Sequence, residues 1–371
     1  MDPRLWIALN SLNSVGNVLF KRLILRFGSA GAVFAAQAHE MLRVEGVRPP
    51  AVKAVKEFSD WGRVDEELGR ARDFGAEVIT LSDPRYPANL REIHDPPPYL
   101  YVKGGLIPGD KVSVAIVGSR MASQLGRQIT AKFAGELAAK GITIVSGGAR
   151  GIDTESHRGA LSAGGRTIVV LGCGIDIAYP SENRSLFGQA AEKGAVVSEY
   201  PMGAQPLPGN FPARNRIISG IALGTLVVEA AEDSGSLITA NCSVEQGREV
   251  YAVPGSVASQ TSKGTNSLIK RGAKLVQGPQ DILEDLFPYM KGYMKDLALG
   301  NDGEREPEAS KIKLEPEEQK LYDIITIEPV HVDDLAEKSG VAVSKALSLL
   351  LGLELKGIVR QVPGMRYVRA L

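Results

Sequence analysis

Short runs of apolar, mostly β-branched residues alternate with helical patterns over residues 112–277. Behind the first run, Ile129, Phe133 and Leu137 recur every four residues, which predicts an amphipathic helix that ends at Gly141. Such alternation predicts right-handed crossovers and a parallel sheet with helices on both faces. The predicted fold class is therefore α/β, with a doubly wound, mostly parallel sheet. The seven predicted strands are VSVAIV, ITIVS, TIVVL, AVVSEY, TLVVEA, EVYAVPG and AKLVQ.

Helical spacing of apolar positions dominates the first 80 residues, where Gly16 and Gly46 separate pairs of apolar helical faces. This pattern is typical of helix-hairpin-helix units, which bind phosphate backbones, and equally of a small helical packing domain. A proline-rich connector follows and contains an extended segment at residues 100–102. We expect the connector to lead directly into the sheet.

The end of the chain has a pattern of three helices and a two-stranded ribbon that turns at Pro363-Gly364, which is typical of a winged helix. Its presumptive recognition helix offers only Lys345 and Lys356, whereas helices that read DNA are richer in Arg, Asn and Gln. We therefore expect this helix to contact protein or to pack. The predicted domains are a helix-hairpin-helix-like domain (1–80), a sheet domain (81–290), a polar linker (291–314) and a winged helix (315–371).

Charge changes this picture only locally. The 371 residues include 43 basic and 43 acidic side chains, so the overall charge does not indicate a partner. Residues 111–274 contain 17 Lys and Arg against 12 Asp and Glu, while residues 276–318 contain 11 acidic against 5 basic side chains. The sequence thus predicts a basic groove on the sheet domain. Two cysteines in unrelated contexts, and the lack of a long apolar run, predict a cytoplasmic protein with no membrane partner.

The first strand-to-helix turn reads Gly118-Ser119-Arg120, where dinucleotide-binding proteins have G-x-G-x-x-G. An arginine thus replaces the glycine that would let a pyrophosphate lie on the backbone. The second strand ends at Gly147 without the acidic residue that would bind a ribose. These departures argue against a nicotinamide or flavin enzyme.

The carboxyl ends of the predicted strands carry Gly, Ser, Asn and Arg, and this edge is where open parallel sheets bind ligands. Backbone N–H groups at helix N-termini bind anionic oxygens, and arginines add bidentate phosphate donors. One nucleotide does not need four arginine-bearing loops, so we expect the phosphates of a polymer. Phe187 is either a stacking face for a base or an apolar helix position. The predicted site consists of Gly118, Ser119, Arg120, Ser123, Gly147, Gly148, Arg150, Gly151, Asn183, Arg184, Phe187, Asn210, Arg214, Asn215, Arg216 and Lys263.

Over residues 82–286 the sequence resembles the DprA family, also called Smf, the DNA-processing proteins of bacterial transformation. The resemblance is carried by DPRYPANLREIHDPPPYLYVKG, GSRMAS, SGGARGID, YPSEN, FPARNR, GSLITA, REVYAVPG and GTNSLIKRGA, in that order. It implies an extended Rossmann-like domain between an N-terminal helical region (helix-hairpin-helix or SAM-like) and a C-terminal winged helix. It also implies a homodimer that protects incoming single-stranded DNA and loads the recombinase RecA onto it. Position by position, Arg120, Arg150 and Arg184 resemble phosphate contacts, with Arg150 standing where the family often has lysine, and Phe187 resembles the stacking residue.

A nucleotide-processing hydrolase that cleaves nucleoside monophosphates is the alternative. Gly224, Thr225 and Glu229 resemble part of its PGG-x-GT-x-x-E motif without the double glycine, and Glu229 would then be the general acid or base. The sequence has no Ser/His/Asp arrangement, metal-ligand cluster or Walker-type lysine loop. We therefore expect no catalytic residues, no cofactor, no metal and no enzymatic activity. We expect His157 to be a satisfied surface histidine and Asp153 to cap its helix or hold its turn.

Overall fold

The computed structural model describes residues 2–300, 316–325, 330–355, 359–362 and 366–369. The chain divides into two compact units, Met1–Lys295 and Asp296–Leu371. The first unit contains a nine-stranded sheet, and the second contains a small three-stranded sheet.

The large sheet is mostly parallel. Its order is β1-β2-β6-β5-β4-β3-β7-β8-β9, with parallel pairing from β6 to β9 and antiparallel pairing at the β1-β2 and β2-β6 edges. In register, Val114 of β3 lies opposite Ile144 of β4 and Gly224 of β7. The strands are β1 (Glu77–Thr80), β2 (Tyr99–Gly104), β3 (Ser113–Val117), β4 (Thr143–Gly147), β5 (Thr167–Leu171), β6 (Ala195–Ser198), β7 (Gly224–Val227), β8 (Glu249–Ala252) and β9 (Lys274–Leu275).

Helices cover both faces of this sheet. Alternate residues of a strand point to opposite faces, so Val114 and Ile116 pack with Phe133 on one side, while Ala115 packs with Ile217 on the other. The α-helices that begin in the first unit are α1 (Pro3–Asn10), α2 (Asn17–Phe27), α3 (Ala30–Ala35), α4 (Ala38–Met41), α5 (Pro49–Lys56), α6 (Trp61–Asp73), α7 (Ala88–Glu92), α8 (Gln124–Ala139), α9 (Ile152–Ser162), α10 (Arg184–Lys193), α11 (Asn210–Ile221), α12 (Gly235–Glu245), α13 (Lys263–Lys270) and α14 (Pro279–Gly300).

All seven strands that the apolar runs predict are present, and the doubly wound, mostly parallel sheet is confirmed. Strand β1 corrects the prediction that residues 1–80 are helical throughout. Its four residues are too few for a periodic pattern, and they pair antiparallel with β2, so that Val78 lies opposite Tyr101. The N-terminal helices share one hydrophobic core with the sheet, because Trp6 and Phe20 belong to the same buried cluster as Tyr101 and Ile217.

The second unit is a winged helix, as the sequence predicts. Its elements are α15 (Pro316–Ile324), β10 (Val330–His331), α16 (Val332–Ser339), α17 (Val343–Leu355), β11 (Val359–Val362) and β12 (Arg366–Arg369). Strand β10 adds a third strand to the predicted ribbon, in the order β10-β12-β11. Helix α14 runs to Gly300, so residues 291–300 are helical where the sequence predicts linker. The rest of that linker, Lys356 and the Pro363-Gly364 turn lie outside the described residues.

Within the described ranges, no helix combines the length and the apolar character that crossing a membrane requires.

Candidate nucleic-acid interface

The turns that follow β3 and β4 are locked together by backbone contacts. The N–H of Ile152 donates to the Ser119 carbonyl at 3.2 Å, and Gly151 lies directly against the Ser119 and Arg120 carbonyls. A Cβ at Gly151 would collide with both carbonyls, and its φ of +75° is one that residues with side chains rarely adopt. The two turns therefore form one rigid surface, from which Arg120 and Arg150 project into solvent.

The N-terminus of α8 is occupied by a carboxylate of the protein itself. Glu229, which follows β7, accepts a hydrogen bond from the Ser123 N–H at 2.9 Å and another from the Ser123 hydroxyl at 2.5 Å. The Ser123 hydroxyl in turn caps α8 by accepting from the Gly126 N–H at 2.9 Å. Ser123, a predicted phosphate ligand, is thus engaged within the protein. This use of Glu229 also weighs against a hydrolase in which that carboxylate is the general acid or base.

A cavity of about 580 Å³ opens at the carboxyl edge of the sheet. A smaller cavity of about 150 Å³ adjoins it and shares Arg120, Tyr179, Phe211 and Arg214 as lining residues. Seven of the sixteen predicted site residues line the two cavities: Gly118, Ser119, Arg120, Gly148, Arg150, Arg214 and Asn215. The sequence therefore identifies the edge of the sheet that carries the cavities.

Two aromatic side chains that the sequence analysis did not select form a wall of this cavity. The rings of Tyr179 and Phe211 lie 5.6 Å apart at an angle of 34°, and the Arg120 guanidinium lies 5.5 Å from the centre of the Phe211 ring. Both aromatic residues begin motifs of the family resemblance, YPSEN and FPARNR, and both follow strand ends. That position at the carboxyl edge is the signal by which they could have been found.

Phe187, the predicted stacking residue, occupies the apolar helix position that was the other interpretation of it. Its side chain is 7% exposed, and its ring packs against Gly148 from within the core. Helix α10 turns this side chain inward, so the cavity has Phe211 and Tyr179 as its aromatic surface. The neighbouring Arg184 is exposed at the start of the same helix.

A buried polar cluster supports the cavity from below. Gly147 separates Asp153 from Arg214, since a Cβ at this glycine would lie 2.5 Å from Asp153 Oδ2 and 2.7 Å from Arg214 Nη2. Burial raises the pKa of Asp153 to about 6, against the attraction of Arg214. Burial likewise lowers the pKa of Arg214, whose guanidinium donates to the Val170 carbonyl and to Asn215 Oδ1. These contacts fix the guanidinium below the cavity and leave little of it exposed.

Two further polar residues hold the turn after β4. His157 is completely buried rather than at the surface, with its ring nitrogens 2.6 Å from the Thr167 hydroxyl and 2.8 Å from the Gly147 carbonyl oxygen. Burial lowers the pKa of His157 to about 4, so the ring is neutral at pH 7. Asn183, also buried, donates to the Gly148 carbonyl at 3.0 Å. We therefore assign both side chains to positioning the turn.

The remaining predicted residues lie away from the cavity or are engaged elsewhere. Arg150 hydrogen-bonds Glu182, which raises the pKa of this exposed arginine. Arg216 forms ion pairs with Glu199 at 2.7 Å and Asp95 at 2.9 Å, and although burial opposes its charge, these partners raise its pKa. Asn210 donates to the Gly172 carbonyl, and Lys263 begins α13.

Comparison with known proteins gives matches over both units. Residues 77–287 match the family described as DNA recombination-mediator protein A, and residues 305–365 match the DprA winged helix domain. The chain is 35% identical to Protein Smf of Synechocystis over 393 aligned positions, which cover 98% of each chain. It is 42% identical to DNA processing protein DprA of Streptococcus pneumoniae over 65% of this chain and 84% of that protein.

Two solved structures are similar to this one. The X-ray structure of DprA from Streptococcus pneumoniae has a TM-score of 0.66 at 36% identity and covers 76% of this chain and 98% of its own. A structure of DNA processing protein A from Helicobacter pylori, described for its single-stranded DNA binding mode, has a TM-score of 0.51 at 30% identity, over 57% of this chain and 96% of its own. The match over the sheet, the match over the winged helix and the identity across nearly the whole chain show that this protein belongs to the DprA (Smf) family of DNA-processing proteins.

Proposed function

We propose that the chain binds single-stranded DNA at the carboxyl edge of its large sheet. Arg120, Arg150 and Arg184 would contact phosphates, and the cavity wall of Phe211 and Tyr179 would stack on a base. The proposal is supported by the Helicobacter pylori relative, whose structure concerns binding of single-stranded DNA. Sequence-tolerant binding suits a site of this composition, because every base has a stacking face and every nucleotide has a phosphate.

The observation that carries the proposal is the position of Arg120. It lies over Phe211 at the mouth of the cavity and forms no ion pair with any side chain of the described ranges. A guanidinium without an ion-paired carboxylate, next to the exposed Tyr179 and the half-buried Phe211, suits a phosphate and its base together. A strand passing the cavity therefore finds both contacts side by side, although Arg120 follows β3 and Phe211 belongs to α11.

We further propose that the protein is a homodimer, that it protects incoming DNA, and that it loads RecA onto the strand during natural transformation. This part of the proposal rests on membership in the DprA family. A binding protein needs no catalytic group, so we propose that it catalyses no reaction of its own. We also propose that it acts in the cytoplasm. The winged helix is then available for a protein contact.

The proposal is tested by the salt dependence of binding to a labelled single-stranded oligonucleotide. Three arginine contacts predict that log affinity falls with log salt at a slope of about −2, and each further cation makes it steeper. Arg120→Ala should weaken binding about tenfold and reduce the slope by about 0.7, because one charged phosphate contact is lost.

Arg26→Ala is the matched control, since it removes the same charge from the exposed face of α2. Equal affinities of R120A and R26A, or equal affinity of the wild type for blunt duplex, would contradict the proposed site.

A further inference from the structure

The strongest feature outside the proposed DNA contacts is the carboxylate at the start of α8. Glu229 Oε2 accepts from the Ser123 backbone N–H at 2.9 Å, and Oε1 accepts from the Ser123 hydroxyl at 2.5 Å. Gly126 makes room for it, because a Cβ there would lie 2.4 Å from Glu229 Cδ. Two residues at the start of α8, Ser123 and Gly126, are thus fitted around a carboxylate from the segment that follows β7.

The N-terminus of α8 lies at a position where Rossmann-like folds bind ligands. The turn after the first parallel strand and the N-terminus of the following helix are where such sheets bind nucleotide phosphate, through free N–H groups and the positive end of the helix dipole. Here β3, the turn of Gly118 to Ser123, and the 16-residue helix α8 stand in that relation. The carboxylate of Glu229 lies at this helix N-terminus and accepts from the N–H and the hydroxyl of the N-cap residue, Ser123.

We infer that Glu229 is a specificity-determining residue that excludes free nucleotides from this fold and a positioning residue for Arg120. By lying at the start of α8, its negative charge repels a nucleotide phosphate, and it already takes the N–H and the hydroxyl of Ser123. By holding Ser123, it fixes the turn that directs Arg120 outward over Phe211. The first consequence is independent of what the cavity binds, and the second rests on the proposed binding of single-stranded DNA.

Removal of the Glu229 carboxylate should change DNA affinity in the direction opposite to the ordinary electrostatic effect. Removal of a negative charge from beside a phosphate-binding surface normally strengthens binding. If Glu229 positions Arg120, its removal instead weakens binding of the strand. Glu232 provides the matched control, because it lies three residues further along the same loop, carries the same charge and is exposed.

The experiment compares E229A, E229Q and E232Q in two measurements. Thermal unfolding is followed in increasing inorganic phosphate and in chloride of the same ionic strength, and affinity for a single-stranded oligonucleotide is measured in parallel. We expect phosphate to stabilise E229A selectively, because its vacated position takes the anion, and to leave the wild type and E232Q unaffected. We expect E229A to bind the oligonucleotide about tenfold more weakly, which corresponds to one misplaced charged hydrogen-bonding group, and E232Q to bind at least as tightly as the wild type.

E229Q keeps the size of the side chain and an acceptor for the Ser123 N–H, so it serves if E229A does not fold. With the amide oxygen accepting from the Ser123 N–H, the amide NH2 faces the Ser123 hydroxyl and cannot accept its hydrogen bond. We therefore expect E229Q to bind the strand more weakly than E232Q does, with a smaller loss of affinity than E229A shows. The inference is overturned if folded E229A melts alike in phosphate and chloride, or if both Glu229 variants bind the strand as tightly as E232Q. Failure of the wild type to bind any strand would instead contradict the proposed function and leave the phosphate measurement to decide the inference.

Discussion

Two phenylalanines show how the environment of a side chain decides its role. The sequence places Phe187 beside Asn183 and Arg184, which suggests a stacking residue, but helix α10 buries its ring beneath Gly148. Phe211 has the same chemistry and lies at the cavity wall. The distinction depends on the rotation of each helix about its axis, and a short pattern such as SLFGQ does not determine that rotation when polar and apolar residues are mixed.

Substitution of each phenylalanine by leucine should separate the two roles. Phe211→Leu should weaken binding of a single-stranded oligonucleotide by about 1–3 kcal/mol, the contribution of one stacked base, and change the unfolding free energy little. Phe187→Leu should lower the free energy of unfolding by about 1 kcal/mol, since a buried ring is replaced by a smaller side chain, and leave affinity unchanged. Fluorescence anisotropy and urea unfolding measure the two quantities. The opposite pattern in folded proteins would return the stacking role to Phe187.

In helix α11, too, the sequence does not determine which side chains face the cavity. The sequence places Arg214 and Arg216 together at the ligand edge. They are two positions apart in one helix, so their side chains lie about 200° apart around its axis. Arg214 therefore faces the cavity floor, while Arg216 faces Glu199 and Asp95 on the other side. The carboxyl edge could be predicted because every parallel strand delivers its loop there. The sequence could not predict which arginines at a loop-helix junction face the ligand, because that depends on the residue at which the helix begins.

Two buried residues of α9, Asp153 and His157, should make the stability of the protein depend on pH. The pKa of Asp153 is about 6 in the folded protein, against an ordinary value of 3.8, so the folded state binds this proton more tightly than the unfolded state. Its contribution to stability is full below pH 3.8 and is lost as pH rises through 6. His157, with a pKa of about 4, acts in the opposite sense, because its contribution is present above 6.5 and is lost as pH falls. The two effects oppose each other in the wild type.

Asp153→Asn isolates the first of these effects. The amide oxygen can still accept from the Ala149 N–H, as the carboxylate does at 3.3 Å. We expect the unfolding free energy of D153N, relative to wild type, to rise by about 2 kcal/mol between pH 4 and pH 7, since most of the effect of a shift of about two pKa units falls in that interval. Urea unfolding at several pH values gives this difference. A difference that stays constant over the range would show that Asp153 titrates normally.

For the molecule as a whole, the sequence predicts the large sheet but not the hydrophobic core that the N-terminal helices share with it. The parallel strands could be predicted because each lies in an apolar run bounded by turns, and all but the short edge strand β9 are largely buried. The sequence could not predict that the N-terminal helices share a core with the sheet. Residues of that core such as Phe20 and Ile217 are almost 200 positions apart, and no local pattern relates them. The compact unit therefore extends from the first helix to Lys295.

A chain that ends at Lys295 should consequently fold, bind single-stranded DNA with the affinity of the full protein and form the proposed dimer. The cavity residues all lie within this unit, and Ile282 and Leu286 of α14 remain to complete its core. Anisotropy measures the affinity, and light scattering measures the mass. A folded monomer would place the dimer contact in the winged helix, and loss of DNA binding would show that the winged helix supplies part of the affinity.

The locked turns of Ser119 and Gly151 have a consequence for the kinetics of binding. Because backbone contacts already fix the loops that carry Arg120 and Arg150, a strand meets a surface that needs little rearrangement. Encounter then limits the association rate, which falls steeply with salt because charge steers it. The proposed stacking on Phe211 would act after encounter and would therefore govern how long the strand remains bound. Salt should thus change mainly the rate of capture, and the aromatic wall mainly the residence time.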